Sequence, residues 1–266
     1  MITLITGDHP RHKYLVDCFV KIFPNVTWII QKREKFYPTI NESFSADIQR
    51  LHQIHFQKRQ DAEYKFFSKK AGNLSMNKIN QIFQINGEDF VNGKLKLILN
   101  RIKSKILITY GCEKIPKDIL RIIKCHKWNI HGGLSPWYRG TITHFWPSYM
   151  LEPEYTGMTL HELTNEIDGG DIVHQSSVNL NPNDGIHENA CRVVKNFSNK
   201  LPMLVKTKIK KKLIPIKLKS TGRIWTSKMW NPLLLNIVYN VFEDKINKYC
   251  LENKKIIKPK LKSILI

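Results

Sequence analysis

At 266 residues, 42% of them hydrophobic, the chain is long enough for one large domain, or one domain with a modest addition, and disorder is excluded. No apolar run approaches the roughly 18–20 residues of a membrane helix. The opening "MITLITGDHPRHKYL" turns polar too early for a signal peptide, so a cytoplasmic protein is expected. Lys+Arg 43 against Asp+Glu 22 gives a net charge of +21, which favours anionic partners (nucleic acid, a membrane surface or a phosphorylated substrate) unless it is a general bias toward Lys, Ile and Asn. The five cysteines are scattered and form no CxxC pair, so they are expected as free thiols, neither a disulfide framework nor a metal site.

"MITLIT" predicts a strand, and "GDHPRHKYLVDCFVKIF" a turn and a helix from about Pro10, where proline suits the first turn. "VTWII" is a second strand. Ser45–Lys70 lacks Gly and Pro and predicts one long charged helix, with Ile48, Leu51, His55 and Phe66 on or near one face. "INGEDFVNGKLKLILNRI" predicts a short extended piece and a helix from about Asp89. "KILITYG", "IPKDILRIIKCHK" and "WNIH" repeat the strand–helix–strand pattern. Such alternation implies a mostly parallel sheet with helices on both faces, an α/β fold. "GMTLHEL" and "DIVHQSSVNL" are strand-like, and residues 184–212 predict a helix with Asp184 as its cap. The pattern turns irregular from Ile214 and ends in a helix over "LLLNIVYNVFEDKINKYCL". The division expected is a domain over 1–213 and a C-terminal extension over 214–266.

Strand alternation puts Asn129 and His131 on one side and Trp128 and Ile130 on the other. Gly132 and Gly133 then end the strand, at the C-terminal edge where open parallel sheets bind ligands. An amide there can donate to an oxygen that becomes negative, and an imidazole can take a proton from an attacking amine. Asp168, in "EIDGGD", offers a carboxylate to hold the imidazolium. No serine or cysteine stands in a nucleophile setting, which suggests direct transfer. From residues alone, Asn-x-His also suits a turn-capping pair, Asp168 a turn carboxylate and His161 a half-buried strand histidine.

The order of "NIHGGLSPWYRG", "GMTLHEL" and "EIDGGDIV", over roughly Lys105 to Val178, resembles the 10-formyltetrahydrofolate-dependent formyltransferases. The resemblance implies a Rossmann-like formyltransferase fold with Asn129, His131 and Asp168 as catalytic residues. It also implies that Tyr110, Gly111 and Cys112 line the pocket of the formyl donor, 10-formyltetrahydrofolate, with His161 nearby and no metal. Gly132 and Gly133 replace the Pro-Ser that many members carry, and "GDHPRHKYL" replaces the glycine-rich phosphate loop of members that act on a ribotide. His9, Arg11 and His12 at the first helix start, where anions are favoured, are then candidates for binding substrate, as are Tyr138 and Arg139 in the Arg-Gly element.

Residues 214–266 look too few for the barrel of the members that formylate initiator methionyl-tRNA, and no N-terminal regulatory domain is expected. The branch acting on nucleotide-linked amino sugars, as in lipopolysaccharide O-antigen synthesis, remains the best match. Another amine, on a ribotide, an amino acid or aminoacyl-tRNA, is the first alternative. A catalytically dead nucleic-acid-binding module is the second, supported by "KTKIKKKLIPIKLK". The Trp- and Leu-rich tail supports either a homodimer or packing back on the domain.

Overall fold

Each apolar strand of the first half is followed by a segment whose apolar residues recur at helical spacing, and the computed structural model assembles these units into one sheet. The structure describes residues 1–32, 39–68, 78–209, 213–219 and 222–266. The strands are β1 (Ile2–Thr6), β2 (Val26–Gln31), β3 (Ile79–Ile85), β4 (Ile106–Tyr110), β5 (His126–His131), β7 (Gly157–Glu162) and β8 (Ile172–Ser177), ordered β3-β2-β1-β4-β5-β7-β8. The first five are parallel; β7 and β8 add antiparallel. The short strands β6 (Arg139–Gly140) and β9 (Ile224–Trp225) pair with each other. The helices are α1 (Pro10–Ile22), α2 (Ala46–Glu63), α3 (Lys94–Arg101), α4 (Lys117–Ile122), α5 (Trp146–Tyr149), α6 (Ile186–Lys208) and α7 (Ile246–Asn253).

Period-two alternation sends Leu4, Trp28, Ile108 and Trp128 into the core beneath α1 and α6, with Phe19 and Phe197. Ile5, Ile29 and Leu107 turn to the other face, under α3 and α4, with Leu95 and Ile119. Both faces are therefore covered, as a parallel sheet requires. A third apolar cluster joins Ile48 and Leu51 of α2 to Trp225, Leu235, Val238 and Ile246.

Several expected boundaries move. The helix expected from Asp89 begins at Lys94, because Asp89 side-chain bonds to Asn86, Asn92 and Lys94 hold a separate short turn and Gly93 follows at φ +93°. The long helix is α-helical to Glu63 and π-helical over Tyr64–Ser68; Lys69 and Lys70 lie outside the described residues. Asp184 is not the cap of α6. It binds Arg192 at 2.6 and 2.7 Å, while Glu188 takes the Gly185 N–H and Asp244 takes the Ile186 N–H. The single final helix is instead a short 3₁₀ turn, a π-turn over Ile237–Val241 and α7, broken where Glu243 and Asp244 adopt φ +51° and +59°.

Two stretches beyond residue 213 return to the edge strand β8. Ile216 bridges Ile172, Ser263 bridges His174, and Leu265 is fully buried. No helix among the described residues is long and apolar enough to cross a membrane.

Candidate active site

Strand register builds the site. Parallel pairing sets Thr109 of β4 beside Asn129 of β5, and antiparallel pairing sets His161 of β7 on the other side of Asn129. The Thr109 hydroxyl donates to Asn129 Oδ1 at 2.7 Å, which turns Asn129 Nδ2 toward His161 Nε2 at 3.1 Å and Asp168 Oδ1 at 3.2 Å. His161 Nδ1 lies 2.8 Å from the Glu162 carbonyl. A proton on Nδ1 leaves Nε2 free to accept from the Asn129 amide.

Asp168 reaches the cluster from the loop after β7, at φ +44°, a conformation aspartate tolerates better than most residues. Its Oδ2 accepts from the Gly140 N–H at 3.0 Å and stands 3.2 Å from His131 Nδ1. Burial alone would raise this carboxyl, but His131, His161 and the Gly140 N–H outweigh it and hold Asp168 well below the usual carboxylate range.

His131 Nε2 lies 2.7 Å from the Tyr138 carbonyl, so each ring nitrogen faces an acceptor. The neutral ring satisfies one of them and the protonated ring both. Burial pushes the imidazole below its ordinary value, while Asp168 and the Tyr138 carbonyl pull it upward. The ring is thus kept ready to take a proton and is stabilised once it has done so. Gly133 permits this geometry, since a side chain there would collide with the Tyr138 carbonyl and His131 Nε2.

A cavity of about 560 Å³ opens beside the cluster, lined by Asn129, His131, His161 and Asp168. Tyr110, Gly111 and Cys112 line one side with Ile115 and Leu163. Arg11 and His12 also line it. His9, Tyr138 and Arg139 do not contribute side chains to its wall. The His9 N–H bonds His12 Nδ1 at the start of α1. Tyr138 turns its hydroxyl to Glu152 at 2.6 Å, and Arg139 reaches the Ile167 carbonyl at 2.6 Å. It is the backbone of this turn, the Tyr138 carbonyl and the Gly140 N–H, that reaches His131 and Asp168.

The cavity wall also carries residues that the motifs did not assign to the site: His55, Arg59 and Glu63 of α2 with His187 of α6, and His144 beside Gly132. Arg11 and Arg59 both face Glu63 Oε1, in direct contact and at 3.8 Å respectively. Burial and the Arg11 charge lower Arg59 to about 10 against the pull of Glu63. His55 Nδ1 lies 2.8 Å from the Tyr239 hydroxyl and 3.2 Å from His187 Nε2. Burial lowers His55 and His144 to about 3, so both stay neutral. The signal was the spacing 55, 59, 63, one stripe of α2. Among the described residues no group of three His, Cys, Asp or Glu is placed to hold a metal ion.

The chain is similar to the bifunctional polymyxin resistance protein ArnA of Wigglesworthia glossinidia brevipalpis, with 36% identity over 116 residues, 42% of this chain and 18% of that protein. It is 33% identical over 94 residues to a methionyl-tRNA formyltransferase of Prochlorococcus marinus, covering 34% of this chain and 28% of that one. These matches thus span less than a third of either relative's length. In fold it is similar to an N-formyltransferase from Helicobacter canadensis, solved with folinic acid and dTDP-3-aminofucose, with a TM-score of 0.53 and 20% identity over 87% of this chain and 73% of that one. Residues 85–205, which hold β4, β5, β7, β8 and all four side chains of the polar cluster, match the formyl transferase family.

Proposed function

We propose that the protein transfers a formyl group from 10-formyltetrahydrofolate to the amine of a nucleotide-linked amino sugar by direct attack. The observation that carries this reading is the meeting of Asn129, His131 and Asp168 on the wall of one cavity. The slot beside Tyr110, Cys112, Ile115 and Leu163 fits the flat, partly apolar ring of the donor. Bound there, the donor supplies an activated formyl carbon.

In this reading Asn129 Nδ2 exchanges one of its two present partners, His161 Nε2, for the formyl oxygen as negative charge builds on it. His131 takes the proton that the amine loses as its nitrogen bonds the formyl carbon, and returns it to the donor nitrogen as that nitrogen's bond to the formyl carbon breaks. Asp168 keeps its charge-assisted bond to Nδ1, so Nε2 is the nitrogen that exchanges a partner, because a backbone carbonyl is the weaker acceptor. The surplus positive charge of Arg11 and Arg59 over Glu63 suits a phosphate of the acceptor. Residues 1–213 carry this machinery, and 214–266 form an extension folded against it.

A second reading, an aminoacyl-tRNA acceptor, is favoured by the net charge of +21 and the similarity to methionyl-tRNA formyltransferases. Purified protein with formyl-labelled folate and a panel of amines separates the two. Label on a uridine- or thymidine-diphosphate amino sugar is expected. Label on methionyl-tRNA alone would overturn the sugar assignment, and label on no amine would overturn the activity.

A further inference from the structure

The proton-handling pair depends on a turn that a distant part of the chain holds in place. Two backbone groups of residues 136–141 touch it: the Tyr138 carbonyl at His131 Nε2 and the Gly140 N–H at Asp168 Oδ2. That turn is clamped by β9. Gly140 pairs with Trp225, and the Thr141 N–H donates to the Trp225 carbonyl at 2.8 Å. Gly140 sits at φ +101°, and a side chain there would strike the same carbonyl. The Trp225 indole stacks on Tyr138 with ring centres 5.8 Å apart and 13° between planes, and on Trp146 at 4.5 Å and 23°. Its N–H points to the Trp137 carbonyl at 3.4 Å, and Arg223 covers its outer face at 4.4 Å.

We propose that Trp225 is a positioning residue for the formyl-transfer site, acting through the turn 136–141 to set where the Tyr138 carbonyl and the Gly140 N–H meet His131 and Asp168. This rests on the transferase reading only for its kinetic consequence; the geometric consequence stands alone. Besides Asp168, the charged and titratable groups facing His131 are His161 on β7, Arg139 on β6 and His144 before α5. Arg139 lies on the clamped turn itself. The Tyr138 carbonyl favours the protonated ring, so loosening it moves the His131 titration to lower pH.

The test is Trp225→Ala in the full chain, read in two ways. Imidazole-labelled NMR follows His131 through pH without substrate, and formyl-transfer kinetics separate kcat from the donor KM. A downward shift of the His131 titration is expected, with kcat reduced about tenfold to a hundredfold, the range for ångström-scale misplacement, and the donor KM unchanged. An unmoved titration in a folded variant overturns the proposal even if no acceptor has been found. So does a parallel loss in kcat, donor affinity and melting temperature, which would mark a general packing role. If Trp225→Ala does not fold, Trp225→Phe carries the same readouts. It keeps an aromatic plane on Tyr138 but loses the indole N–H, and a smaller shift in the same direction is expected; no shift overturns the proposal.

Discussion

The two ends of the cavity hold charge in opposite ways. At the strand end, one carboxylate is surrounded by two imidazoles, an amide and a backbone N–H, and Asn129, His131 and Asp168 spend both polar side-chain atoms on one another or on fixed neighbours. At the helix end, two guanidiniums face a single carboxylate oxygen of Glu63, whose other oxygen has no hydrogen-bond partner among the described residues. A closed network fixes orientation, which chemistry needs. Surplus charge in a desolvated wall favours a ligand that neutralises it, which binding needs.

Breaking the closed end is expected to cost turnover. Asn129→Ala lowers kcat by about 10²–10³, the scale of one donor to a developing oxyanion, with binding of a folate analogue retained by calorimetry. Asp168→Asn lowers kcat by about 10² and changes the pH–rate profile, because it removes charge without changing shape. Breaking the open end is expected to cost affinity. Arg59→Ala and Arg11→Ala each raise the KM for a phosphate-bearing acceptor about tenfold, the scale of one charged hydrogen bond, while leaving the donor KM alone. Equal effects on both substrates would erase the distinction between the two ends.

The smallest effect concerns acid stability. The Asp168 carboxyl is held below its unfolded value, so its contribution is present above that value, near ~pH 4, and is lost as pH falls through the folded one. Melting temperatures of the wild type and Asp168→Asn, followed by fluorimetry, should therefore differ near neutrality and converge in acid.

The closed end was largely legible. Two-residue alternation put Asn129 and His131 on one side of β5, and the structure keeps Trp128 and Ile130 in the opposite core. The open end was not, since α2 reads as an ordinary charged helix and only its packing beside α6 and its Glu63–Arg11 ion pair with α1 turn residues 55, 59 and 63 inward. Asp184 and Asp244 show the same limit. Both are aspartates near a helix start, and the one close in sequence pairs with Arg192 while the one 58 residues from Ile186 supplies the cap. Hydrogen-bond partners follow spatial proximity, which local spacing does not encode.

By itself the sequence determined the alternating strands and helices, the order of the motifs and the candidate amide, imidazole and carboxylate, because these follow from local periodicity and residue chemistry. The tertiary structure alone decided that His161 stands beside Asn129, that α2 brings Arg59 and Glu63 to the cavity wall and that β9 clamps the turn carrying the Tyr138 carbonyl and the Gly140 N–H. Each of those depends on strand register or on packing between segments far apart in the chain. Such contacts are chosen by the burial of whole faces, which no short stretch of sequence specifies.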